Sequence, residues 1–176
     1  YSQDSANSGT GAVTVNLSTG TATDGFGATD TLSNIDSARG TSGADTFTAN
    51  TLGNQFIGLA GNDTITGGTG KDEVRYDQDA SFGGSAGVTV NLATGTATDG
   101  FGNTDTLSSI ENVRGTSSAD TLTGNSSNNR FRGLGGNDTL NGGAGTDDEA
   151  DYSRDADAGG TAAITVNLGT GTATDG

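Results

Sequence analysis

The sequence predicts an all-β fold, a solenoid of stacked coils made from short parallel strands and assembled from tandem repeats of about 75 residues. Three observations lead there. The stretch Gly11 to Thr48 recurs almost unchanged as Ala86 to Thr123 and begins again at Ala162. Inside each unit run consecutive nine-residue words, glycine-rich at the front with one apolar residue at the eighth place. The composition, 29% hydrophobic and 5% aromatic with 32 glycines and no proline, argues against a globule around one large core.

The units run 1–75, 76–151 and 152–176, opened by Tyr1, Tyr76 and Tyr152, with Asn16, Asn91 and Asn167 at equivalent places. One extra residue falls inside Thr146 to Tyr152. The third copy stops in mid-unit, so the expectation is a stretch of a longer array whose neighbouring units complete each other's core. The first part of each unit (1–39, 76–114) alternates Val13, Val15 and Leu17 with polar residues, then carries a turn signal at Asp24-Gly25 and the apolar pair Leu32/Ile35. Short strands and turns are expected there.

The second part (40–75, 115–150) is the run of words. In unit 1 these are GTSGADTFT, ANTLGNQFI, GLAGNDTIT and GGTGKDEVR. Their eighth places hold Phe47, Phe56, Ile65 and Val74; their sixth places hold Asp45, Asn54, Asp63 and Asp72. Unit 2 repeats them with Leu122, Phe131 and Leu140, and with Asp120, Asn129, Asp138 and Asp147; its last word is disturbed, with Glu149 or Ala150 at the apolar place. Six turn-forming residues and three strand residues are too few for a helix. Two words then make one coil with a strand on each side, and residues eighteen apart lie above one another at about 4.8 Å. Asp45 falls beneath Asp63 on one edge, and Asn54 beneath Asp72 on the other.

A net charge of -15, from 22 acids against 7 Lys and Arg, makes the collapsed chain repel itself and calls for a cation. With no Cys and no His, disulfides, thiolate and zinc sites and triad catalysis drop out, while an oxygen-liking cation stays allowed. Catalysis is not expected in this segment. No basic cluster suits nucleic acid, and no apolar run spans a membrane. Ca²⁺ takes six to eight oxygens at about 2.3–2.6 Å, so one ion can bridge two stacked turns. Metal binding and folding are then expected as one event.

At these residues the chain resembles the RTX, or hemolysin-type, calcium-binding repeat family; GGTGKDEVR, GLGGNDTLN and GGAGTDDEA carry the likeness best. The resemblance implies a right-handed parallel β-roll in secreted bacterial proteins. It implies Asp63, Asp72, Asp138 and Asp147 as calcium ligands, with Asp45 and Asp120 completing the pairs from below. Gly43, Gly58, Gly61, Gly67, Gly70, Gly133, Gly136, Gly142 and Gly145 would form the turns and offer carbonyls. ANTLGNQFI and GNSSNNRFR carry Asn at the sixth place, so the edges of Asn54 and Asn129 should bind calcium weakly or not at all. Asp24, Asp30 and Asp36, with their copies Asp99, Asp105 and Glu111, fit either a second calcium cluster or turn-capping carboxylates.

The expected role is a calcium-stiffened segment of a long secreted surface, adhesin or fibre-forming protein, at the bacterial surface or outside the cell. The alternative is the calcium-binding secretion module of an exported hydrolase, epimerase or toxin. Expected partners are calcium ions and neighbouring repeats or copies of the chain, stacked head to tail into a filament. Carbohydrate contact is a weaker reading.

Overall fold

The computed structural model describes residues 1, 11–160, 163–167, 169 and 172–174. In unit 1 the strands are β1 (Thr14–Asn16), β2 (Thr21–Thr23), β3 (Thr29–Thr31), β4 (Ser37–Arg39), β5 (Thr46–Thr48), β6 (Gln55–Ile57), β7 (Thr64–Thr66) and β8 (Glu73–Arg75). Unit 2 repeats the series as β9 (Thr89–Asn91), β10 (Thr96–Thr98), β11 (Thr104–Ser108), β12 (Asn112–Arg114), β13 (Thr121–Thr123), β14 (Arg130–Arg132), β15 (Thr139–Asn141) and β16 (Glu149–Ala150). β17 (Thr165–Asn167) and β18 (Thr172–Thr174) form a separate antiparallel pair. The rest of the third repeat's start, at 161, 162, 168, 170, 171, 175 and 176, lies outside the described residues, as do 2–10.

The nonapeptide strands alternate between two sheets, as a coil of two words requires. β5 and β7 pair in parallel with Phe47 opposite Ile65, and β6 and β8 with Phe56 opposite Val74. The spacing of eighteen residues is therefore realised, and the fold is a parallel β-roll. Eighth-place side chains point inward: Phe47, Phe56, Val74 and Leu122 are fully buried, and the rings of Phe47 and Phe56 meet at 5.5 Å. Ile65 is just as enclosed, so Ile65→Val is expected to cost about 1 kcal/mol, read as a lower unfolding midpoint in the presence of calcium.

The first part of each unit does more than cap the words. β9, β10 and β11 form an antiparallel meander, but it is β11 that pairs with β7, Leu107 opposite Ile65, while β9 pairs with β13. The chain overshoots, returns, and then resumes coiling. One sheet consequently has ten strands, in the order β15-β13-β9-β10-β11-β7-β5-β1-β2-β3, against six in the other, β16-β14-β12-β8-β6-β4. TDTLSSIENVR is thus a coil in its own right, with Leu107, Ile110 and Val113 in the core. The linker after Tyr76 passes through a 3-10 turn at Asp79–Phe82 and fastens to the β10–β11 turn, where Ser85 and Ala86 donate their N–H groups to the Gly100 carbonyl.

The last word of unit 2 corrects the expected register by one residue. Ala150 lies opposite Phe131, and the carboxylate of Asp148, not Asp147, accepts the Asn129 N–H at 2.9 Å. The extra residue is absorbed in the turn, where Asn128 Oδ1 accepts the N–H groups of Thr146 and Asp147 and Asp147 is exposed.

Candidate metal centre

A backbone N–H just before each strand has no partner within its own coil, and the sixth-place side chain of the next coil supplies one. On one edge Asp63 Oδ1 accepts the Asp45 N–H at 2.8 Å, Asp105 Oδ1 accepts the Asp63 N–H at 3.0 Å, and Asp138 Oδ1 accepts the Asp120 N–H at 2.9 Å. On the other, Asp72 Oδ1 accepts the Asn54 N–H at 2.8 Å and Glu111 accepts the Asp72 N–H at 3.0 Å. The stacking expected of Asp45 under Asp63, Asn54 under Asp72 and Asp120 under Asp138 is present. Asp105 and Glu111 continue the two ladders, a role that sequence reasoning missed; the apolar spacing of Leu107, Ile110 and Val113 was the available signal.

The rungs differ in what their second oxygen does. At Asp45, Asp72 and Asp120 the N–H of the word's second residue (Thr41, Gly68, Thr116) caps it at 2.7, 2.8 and 2.7 Å. Asp45 and Asp120 spend their other oxygen on the N–H of Val13 at 2.6 Å and of Val88 at 2.7 Å. They are stacked beneath Asp63 and Asp138, but each reaches toward the coil below. Asn54 and Asn129 need no ion: each Oδ1 accepts an N–H at 2.9 Å, from Asn50 and Asn125, and each Nδ2 donates to a carbonyl of the adjoining coil.

Asp63 is different. The second residue of its word is Leu59, held at φ +71°, and Asp63 Oδ2 is buried with no hydrogen-bond partner. Burial first, then the charges of Asp105, Asp45 and Asp99, push this carboxyl up to about 8. Leu134, at φ +74°, repeats the turn before Asp138. Gly58 and Gly133 leave the space beside these carboxylates, since an added methyl would overlap Asp63 Oδ2 or Asp138 Oδ2. Gly61 and Gly136, at φ +119° and +107°, press on the backbone of Gly43 and Ser118 in the coil below. Gly67, Gly70 and Gly145 approach the carbonyls of Ser109, Leu52 and Ser127 as closely, and Gly142 lies against the Asp148 carboxylate.

A buried, unsatisfied oxygen in a glycine cradle, with only oxygen donors around it, fits a hard divalent cation. Among the described residues no three acidic side chains converge on one point, so backbone carbonyls must supply much of any shell there. Of the other four acids expected there, two behave as turn caps: Asp24 Oδ1 accepts the N–H groups of Phe26 and Ala28, and Asp99 Oδ1 those of Phe101 and Asn103. In the six-stranded sheet Arg75, Arg114, Arg130 and Arg132 pair with acids, with Glu73 buried between Arg114 at 3.4 Å and Arg132 at 2.7 Å, while Arg39 lies over the Phe82 ring. No described helix is long and apolar enough to cross a membrane.

Residues 49–82 and 114–148 match the family model of the RTX calcium-binding nonapeptide repeat, in four copies. No curated protein matches the chain.

Proposed function

This chain carries RTX calcium-binding nonapeptide repeats, and from that premise we propose that it is a calcium-folded, calcium-stiffened structural segment of a secreted bacterial surface, adhesin or fibre-forming protein. The cation is Ca²⁺, and repeats of this kind occur in secreted proteins. The observation that carries the reading is Asp63 Oδ2, buried and without a hydrogen-bond partner, where the corresponding oxygens of Asp45, Asp72 and Asp120 are satisfied by backbone donors. Bound there, calcium supplies the positive charge that lets the acid ladder close. Asp63 and Asp138 would hold it from their side chains, and the glycine-rich turns around Gly58, Gly61, Gly133 and Gly136 from their carbonyls.

Low calcium inside the cell leaves the chain extended for export, and millimolar calcium outside folds it. Repetition then turns one folding event into a stiff rod, with exposed sheet ends on which further repeats or copies stack. Far-ultraviolet circular dichroism and small-angle scattering in excess chelator and in millimolar calcium test this. An extended chain with little strand signal in chelator and a compact, strand-rich one in calcium are expected; equal strand content in both refutes the proposal.

A further inference from the structure

Four buried carboxylates lie within electrostatic reach of one another where unit 1 joins unit 2. Asp63 comes from the nonapeptide coil, Asp79 from the linker, Asp99 from the meander turn and Asp105 from β11, and each is 1% exposed. Asp99 and Asp105 lie outside the residues that match the repeat family. Tyr76, equally buried, donates its O–H to Asp105 Oδ2 at 3.1 Å.

Backbone N–H groups anchor one oxygen of each acid. Asp79 Oδ2 accepts from Gly100 at 2.9 Å, Asp99 Oδ1 from Phe101 at 3.0 Å and Asn103 at 2.7 Å, and Asp105 Oδ1 from Asp63 at 3.0 Å. Asp63 Oδ2, Asp79 Oδ1 and Asp99 Oδ2 remain, all buried and all without a hydrogen-bond partner. The charges act on one another: Asp99 and Asp105 each disfavour ionisation of Asp63 and of Asp79. None of the ion pairs Arg75–Asp77, Arg114–Glu73, Arg132–Glu73 and Arg132–Asp151 reaches the four. Leaving three such oxygens buried is costly unless positive charge joins them.

We propose that this junction pocket is a cation site in its own right, taking a hard divalent ion such as Ca²⁺ on the free oxygens of Asp79 and Asp99 with Asp105 and Asp63 beside them, and that the ion locks each repeat unit onto the one before it. Only oxygen donors are offered, which selects hard cations over zinc or copper. Among the described residues no three acids converge on one point, but Asp63, Asp79 and Asp99 are each anchored through one oxygen and keep the other without a hydrogen-bond partner.

The site is a product of the junction. In unit 1 the Tyr1 O–H makes the same bond to Asp30 Oδ2, at 2.8 Å, yet Asp30 is exposed because β3 is the last strand of its sheet. Asp155, which has the place of Asp79 in the following repeat, is again buried.

The proposal rests on the calcium reading above, and equilibrium dialysis with metal analysis separates the two. The wild-type chain is expected to hold one more calcium ion than Asp79→Asn/Asp99→Asn, with equal strand signal in millimolar calcium. Equal ion counts overturn the junction site and leave the nonapeptide reading standing; a wild-type chain that binds no calcium overturns both. Should the double variant fold poorly, Asp99→Asn alone keeps the Oδ1 acceptor for both turn N–H groups and takes its place. Terbium offers a second readout in a Tyr1→Phe/Tyr152→Phe chain, where Tyr76 is the remaining sensitiser. Emission that falls on Asp99→Asn supports the site, and emission unchanged by it counts against it.

Discussion

Gly67→Ala should uncouple the two repeat units. The Gly67 N–H donates to the Ser108 carbonyl at 2.8 Å, and a methyl on its Cα would overlap the neighbouring Ser109 carbonyl oxygen. Both partners are backbone, so no side chain can rotate away; the ends of β7 and β11 must part or the turn must distort. A loss of about 3 kcal/mol is expected, at the upper end of overpacking costs. In millimolar calcium the variant should melt earlier and in two steps rather than one. Thr69→Ala, on an exposed residue of the same turn, should stay within about 0.5 kcal/mol of wild type. A Gly67→Ala chain that melts like Thr69→Ala would mean that the coils are looser than this packing requires.

The calcium-free chain should gain structure on acidification, the reverse of ordinary acid denaturation. Carboxyls that titrate near 3.8 in the unfolded chain are pushed up to about 8 at Asp63 and about 7 at Asp79 and Asp105, first by burial and further by one another's charge. Folded values above unfolded ones mean that the folded chain holds more protons between pH 4 and 8. Stability is therefore present at the acid end of that window and is lost as pH rises through 7 to 8. Asp63 alone contributes a slope of about 1.4 kcal/mol per pH unit across it. Circular dichroism of calcium-free protein should show strand content at pH 4.5 that is gone at pH 8. With calcium present the trend should reverse, because protons then compete with the ion for the same oxygens. A calcium-free chain that loses strand content on acidification would contradict the buried acid ladder.

Both expectations use features that differ in how far they could be foreseen. The demand for glycine at the first place of a word is visible in the repeats, but that Gly67 meets Ser109, forty-two residues on, is not. Asp63 is marked in the sequence as the sixth-place acid of its word. That it keeps an open oxygen while Asp45 and Asp72 do not depends on the turn at Leu59, whose left-handed φ a leucine does not announce. The one-residue correction from Asp147 to Asp148 has a similar cause: an insertion in a glycine-rich turn can be absorbed at several places, and pairing of Ala150 with Phe131 selects among them.

What the sequence by itself determined is local and periodic: nine-residue words, two to a coil, an apolar residue inside each strand, and acids stacked eighteen apart. Backbone geometry enforces that period wherever the words occur. Only the tertiary structure decided that the meander enters the wide sheet by its last strand. That choice brings Asp105 onto Asp63 and closes Tyr76, Asp79 and Asp99 beneath the junction. Its physical reason is long-range packing: β11 carries the Leu107 that continues the core over Ile65, and its partner strand cannot be read from any window of neighbouring residues.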